Sequence, residues 1–121
     1  MWNTPEQKRL DKIPRIYETE DIPVKEKRIH LHFFIGGSDW YAVEFNGEDI
    51  FFGFVILNGD LEQSEWGYFS FAELKAIRVG AIEVDCELDE FWEIRPAKDV
   101  ELIRKARGWN DEKEIGPEKE A

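Results

Sequence analysis

His30 and His32 stand one residue apart in the otherwise apolar stretch Ile29–Ile35. Alternate residues of an extended chain share a face, so both imidazoles project to one side. Imidazole changes charge near neutral pH and is a frequent ligand for divalent metals. A His-x-His pair with a carboxylate is the donor set of a two-histidine, one-carboxylate metal centre. The same groups suit acid–base chemistry. The carboxylates come from neighbouring strands if the hydrophobic pattern fixes the pairing. With Asn46-Gly47 as a two-residue turn, Val43 faces Ile50, Tyr41 faces Phe52 and Glu44 faces Asp49. Setting Ile35 against Asp39 matches Phe33 to Tyr41, Leu31 to Val43 and Ile29 to Phe45, and leaves His30 opposite Glu44. His30, His32, Glu44 and Asp49 are then expected together, on the face away from Tyr41, Val43 and Phe45. Two facing carboxylates repel, and a proton on His30 or a divalent cation would relieve them. The plainer reading is a solvated polar face with His30 and Glu44 as a cross-strand pair.

The elements that position these residues follow from the pattern. Ile50–Leu57 (IFFGFVIL) is an unbroken apolar run, the mark of a strand buried on both faces. Gly53 within it marks a bulge or a close approach of backbone. Strands are expected over Glu26–Ile35, Trp40–Phe45, Glu48–Leu57, Glu65–Ser70 and Ala81–Cys86. Thr4-Pro5-Glu6-Gln7 opens a helix that stops before Pro14, with Thr4 as cap. Ser70-Phe71-Ala72-Glu73 is a capping box for a helix to about Arg78, and Lys98–Arg107 is a third, with Gly108 beyond its end. The expected fold is α+β: about five mostly antiparallel strands in a meander, with helices packed on one face. Residues 1–108 form one domain, and 109–121 is a charged tail with no pattern to bury, expected to be disordered.

Other chemistry-bearing residues are weaker. Cys86, the sole cysteine, lies between Asp85 and Glu87, whose charges disfavour a thiolate, and it excludes an internal disulfide. Gly36-Gly37 is a turn, since no phosphate-loop lysine follows. Carboxylates beside aromatics recur at Asp39-Trp40, at Glu65-Trp66 and in the run holding Asp85, Glu87, Asp89, Glu90, Phe91 and Trp92. That run has no central glycine, so it is not a calcium loop. It suits a surface that docks a protein through acidic and aromatic side chains. An aromatic pocket lined by Trp40, Phe34 and Phe51 is the alternative, a small-molecule regulatory module.

Charge narrows the partners. The net formal charge is −11, and residues 36–95 carry fourteen acidic against three basic groups, which accounts for all of it. Direct nucleic-acid binding needs clustered Lys and Arg and is not expected. No apolar stretch has the length of a membrane span and no leader pattern opens the chain, so a cytoplasmic location is expected.

Three blocks, IPRIYETEDIP, LHFFIGGSDWYAVEFNGEDIFFGFVILNGD and EWGYFSFAELKAI, resemble a small bacterial family of unknown function often carried on plasmids and integrative elements. The resemblance spans residues 1–95. It implies no catalytic residue and no cofactor; it implies a setting in which anti-defence and regulatory proteins are common. Charge and setting together favour a non-enzymatic, acidic interaction protein, including a DNA mimic that occupies a basic nucleic-acid-binding protein. A metal-dependent enzyme using His30, His32, Glu44 and Asp49 is the remaining alternative.

Overall fold

In the computed structural model, residues 2–109 are described. The N-terminal helix α1 (Gln7–Asp11) leads into a strap of turns that ends in a 3-10 turn at Val24–Glu26. Strands β1 (Arg28–Ile29), β2 (Leu31–Ile35), β3 (Ser38–Phe45), β4 (Ile50–Ile56) and β5 (Glu65–Ser70) follow, then helix α2 (Phe71–Ala76). The short strands β6 (Arg78–Val79), β7 (Ile82–Glu83), β8 (Asp85–Cys86) and β9 (Arg95–Pro96) come next, before a 3-10 turn at Ala97–Asp99 and helix α3 (Glu101–Arg107).

The main sheet has five antiparallel strands in the order β5-β4-β3-β2-β8. This is the α+β meander expected, with one difference in how it is covered. Along β3, Trp40, Ala42 and Phe45 join a core with Leu10 of α1 and with Phe71 and Leu74 of α2. Tyr41 and Val43 join a second core with Ile29, Phe54, Trp92, Val100 and Ile103. Helices therefore lie on both faces. Ile50–Ile56 is apolar throughout because both its faces are covered.

Local chemistry explains the ends of the elements. Ser70 Oγ accepts from the backbone N–H of Glu73 at 3.1 Å, the expected capping contact. Thr4 makes no such contact: Glu6 occupies the cap position of α1 without a side-chain bond. Gly108, in the left-handed region at φ 71°, ends α3. The first expected strand is broken at His30 into β1 and β2. The last expected strand divides: β7 pairs with β6, and β8 joins the main sheet. Trp109, grouped by composition with the tail, packs against the second core under the Lys25 ammonium. The rest of the expected tail lies outside the described residues.

Both expected registers are corrected. Ile35 pairs with Ser38, not Asp39, so Phe33 meets Trp40 and His32 meets Tyr41. Gly36 at φ 53° makes this a tight two-residue turn. At the next hairpin Asn46-Gly47 is not a two-residue turn. The Asn46 carboxamide oxygen accepts from the N–H groups of Glu48, Asp49 and Ile50 (2.8, 2.8 and 3.0 Å), holding a wider loop. Phe45 then pairs with Phe51 and Glu44 with Phe52, while a bulge at Val43 restores Ala42 to Gly53. A Cβ on Gly53 would sit 1.8 Å from the Tyr41 carbonyl oxygen. Only glycine admits that approach.

Candidate functional site

These registers part the four residues expected to converge. Glu44 is 4% exposed, and its carboxylate accepts from the backbone N–H of Tyr17 (2.9 Å) and of Thr19 (3.0 Å) and from the Thr19 hydroxyl. The Lys27 ammonium donates to the Thr19 carbonyl and, at 3.1 Å, to its hydroxyl. Glu44 thus fastens the strap to the sheet. Asp49 serves α2, accepting from the Ser70 hydroxyl (2.6 Å) and the Ala72 N–H (2.8 Å). Those bonds draw its pKa below the ordinary carboxylate value. His30 donates its backbone N–H to Ala42, and its Nδ1 is buried without a hydrogen-bond partner among the described residues. Burial, with the Arg28 charge adding, lowers the His30 pKa below 6.5. Among the described residues no group of three or more His, Cys, Asp or Glu side chains is placed to hold a metal ion.

His32 has a different company from the one expected. Its ring stacks on Tyr41, the side chain expected on the opposite face, at 4.5 Å and 6°. Nε2 lies 2.7 Å from Asp39 Oδ1, and Nδ1 lies 3.4 Å from Glu87 Oε2. Only Nε2 is within a hydrogen bond; Nδ1, like that of His30, is buried without a hydrogen-bond partner among the described residues. Burial, then Asp39 and Glu87, raise the Tyr41 pKa against an opposing Arg95. Trp92 closes the group: its Nε1–H donates to the Ile29 carbonyl at 3.0 Å, and the Arg95 guanidinium covers its ring at 4.4 Å. The constellation is a polar clasp. It joins β2 and β3 to the segment after β8, whose Glu87 N–H also bonds the His32 carbonyl.

The expected interaction residues divide by exposure. Trp40 and Trp92 are buried, Asp39 is held by His32, and Trp66 packs edge-on against Phe54. Asp85 accepts from the N–H of Asn3, tying the N-terminal segment down. Glu65, Asp89, Glu90 and Phe91 are exposed, and Glu87 is half-buried. The expected aromatic pocket does not form: Trp40 and Phe51 are buried in the first core, and Phe34 lies beside His32. A surface hollow of about 240 Å³ is instead lined by Trp2, Glu6, Arg9, Leu88, Asp89 and Glu90. Trp2 and Leu88 escaped sequence reasoning because neither lies in a periodic element; only the tertiary approach of the N-terminus to the 88–91 turn assembles them. Cys86 is buried, and burial, aided by Asp85 and Glu87, pushes its thiol pKa up to about 12 against the opposing charge of Arg9.

The class this defines is an α+β sheet protein with two covered faces and an acidic, aromatic-bearing rim. No family model matches the chain, nor does any curated protein or solved structure. The resemblance of the three sequence blocks therefore adds nothing to the reading of the site. Among the described residues no helix is long and apolar enough to cross a membrane.

Proposed function

We propose that this chain is an acidic, non-enzymatic docking protein whose contact surface is the 88–91 turn with the adjoining Trp2, and whose partner is a protein with a basic surface. One observation carries the reading. Trp2 and Phe91 are each 69% exposed and Leu88 is 41% exposed. Trp2 and Leu88 share a hollow with three carboxylates, Glu6, Asp89 and Glu90, against one cation, Arg9, which pairs with Asp89. Aromatic anchors with a charged rim are the usual make-up of a protein interface. The excess of carboxylates selects a basic partner and speeds encounter. A DNA mimic in the cytoplasm, carried as an accessory protein of a mobile element, is the specific form proposed.

The test is affinity capture from a bacterial extract with the wild type and two variants, Phe91→Ala with Trp2→Ala, and Asp89→Lys with Glu90→Lys. The expected partner has a basic nucleic-acid-binding surface, is lost from both variants, is released by rising salt and is displaced by duplex DNA. A partner without a basic surface, or one held equally by the variants, overturns the proposal.

A further inference from the structure

The strand β5 closes one side of the main sheet, and no described strand pairs with its outer edge. Every second backbone N–H and C=O of such a strand points outward, an arrangement proteins ordinarily guard with Lys, Pro or a bulge. Glu65–Ser70 (EWGYFS) has none of these, and it pairs with β4 without interruption over six residues. Two exposed apolar side chains flank it: Tyr68 is 56% and Leu57 52% exposed, and both border a surface hollow of about 360 Å³ of mixed lining, with Val55 and Gly67 on one part and Asp60 and Glu65 on another. The Tyr17 side chain, itself 66% exposed, lies near the Tyr68 phenol and widens the band.

We infer that this edge pairs with the same edge of a second copy, giving a two-fold dimer with a continuous ten-stranded sheet. The strand complements itself. A two-fold axis normal to the sheet makes the pair antiparallel and sets one residue opposite its own mate. Centred on Tyr68, the ladder stacks the two tyrosines and sets Trp66 opposite Ser70 of the other copy. It also sets the backbone of Phe69, whose own ring is buried on Phe51, opposite Gly67 of the other copy, where a Cβ would meet nothing within 4 Å. Centres at Tyr68, Phe69 and Ser70 all keep Glu65 beyond the ladder, and of these the Tyr68 centre pairs the most residues, Trp66 to Ser70. Centring on Gly67 sets Glu65 against Phe69, and centring on Glu65 sets two carboxylates face to face. Each chain carries a net charge of −11, so screening strengthens the dimer as salt rises. That dependence is opposite to docking of a basic partner.

Sedimentation velocity over a range of protein and salt concentrations reads the assembly. The expected result is a dimer that grows with both. Tyr68→Asp, which sets like charges at the axis, weakens it at least about tenfold while leaving the thermal midpoint of the monomer in place. Tyr68→Cys gives a positive signal that does not depend on destabilisation. Treated with diamide as thiol oxidant, it forms a disulfide-linked dimer on a non-reducing gel, and the wild type, whose one cysteine is buried, does not. A monomer at every concentration, a dimer unaffected by Tyr68→Asp, or cross-linking by Gly67→Cys in place of Tyr68→Cys overturns the inference.

Discussion

Replacing Glu44 with alanine tests how the strap between α1 and β1 is held. Three donors end on this carboxylate, two backbone N–H groups and a hydroxyl, and Lys27 completes the chain through Thr19. Thr19 and Lys27 are buried beside it, at 4% and 9% exposure. A buried donor left without an acceptor costs about 1–3 kcal/mol, and breaking a buried charged network costs about 3–5 kcal/mol. The expected loss for Glu44→Ala is therefore about 4 kcal/mol, a large part of the roughly 5–15 kcal/mol that holds a domain together. With a urea slope of about 2 kcal/mol per molar, the midpoint falls by about 2 M. Glu44→Gln keeps the volume and one acceptor oxygen, so about half that loss is expected. Thr19→Val, combined with Glu44→Ala in a double-mutant cycle, should show a coupling above about 1 kcal/mol. A Glu44→Ala loss below about 1 kcal/mol, or additive effects in the cycle, would refute the claim that this carboxylate secures the strap.

Three further outcomes follow from particular contacts. Gly53→Ala drives a Cβ into the Tyr41 carbonyl and should cost at least about 3 kcal/mol, whereas Gly67→Ala, in open space, should stay within about 1 kcal/mol; comparable urea midpoints would contradict this. His30 has its pKa lowered in the fold, so the unfolded chain binds the proton more readily. Its contribution to stability is complete above the unfolded value of 6.5 and is lost as pH falls below it. The wild type should therefore lose more stability than His30→Gln between pH 7 and 5, and parallel profiles would remove that role. Cys86, with its pKa pushed up to about 12, holds about a thousandfold less thiolate at neutral pH than a free thiol. Iodoacetamide should label it only as urea unfolds the chain; rapid labelling of the native protein would contradict the burial.

The strands of the main sheet and all three helices were legible because their signals are local, whereas the two-residue strands Arg78–Val79 and Arg95–Pro96 carry no such signal. The apolar run Ile50–Ile56 and the Ser70 capping box depend on residues within a few positions. The registers were not, and the reason is physical. Matching apolar to apolar selects a register only when one face of a sheet is buried. Here Tyr41 and Val43 face one core and Trp40, Ala42 and Phe45 face another, so a slip of one residue still sets apolar against apolar. The candidate site inherited that error. With Ser38 drawn into the ladder, Asp39 comes to the face of His32, while Glu44, opposite Phe52 on that same face, sits further along the strand, where the strap holds it. Asn46 added a second slip, because its side chain accepts three backbone N–H groups that a two-residue turn would not present. The role of Glu87 beside His32 was out of reach for another reason: β8 joins β2 across more than fifty residues of chain.

The exposed aromatic at position 91 stands on a turn that the rest of the structure holds firmly. The Arg9 guanidinium donates to the Glu87 carbonyl at 2.9 Å, and the Glu87 N–H reaches the His32 carbonyl at 3.0 Å. On the far side of the turn, Trp92 is buried and donates to the Ile29 carbonyl. The N–H groups of Phe91 and Trp92 both return to the Leu88 carbonyl, at 2.9 and 3.0 Å, closing the turn on itself. Phe91 and Leu88 thus project from a short arch with both feet bonded to the sheet. An anchor already ordered in the free protein loses less conformational freedom on binding than one on a loose loop, and that saving appears directly in affinity. The same bonds explain why a turn rich in carboxylates keeps its shape. One foot is fixed by the Arg9 guanidinium and the Glu87 N–H and the other by the Trp92 indole. Arg9 also lies 3.6 Å from the Asp89 carboxylate and offsets its charge, which leaves the exposed Glu90 to face a partner.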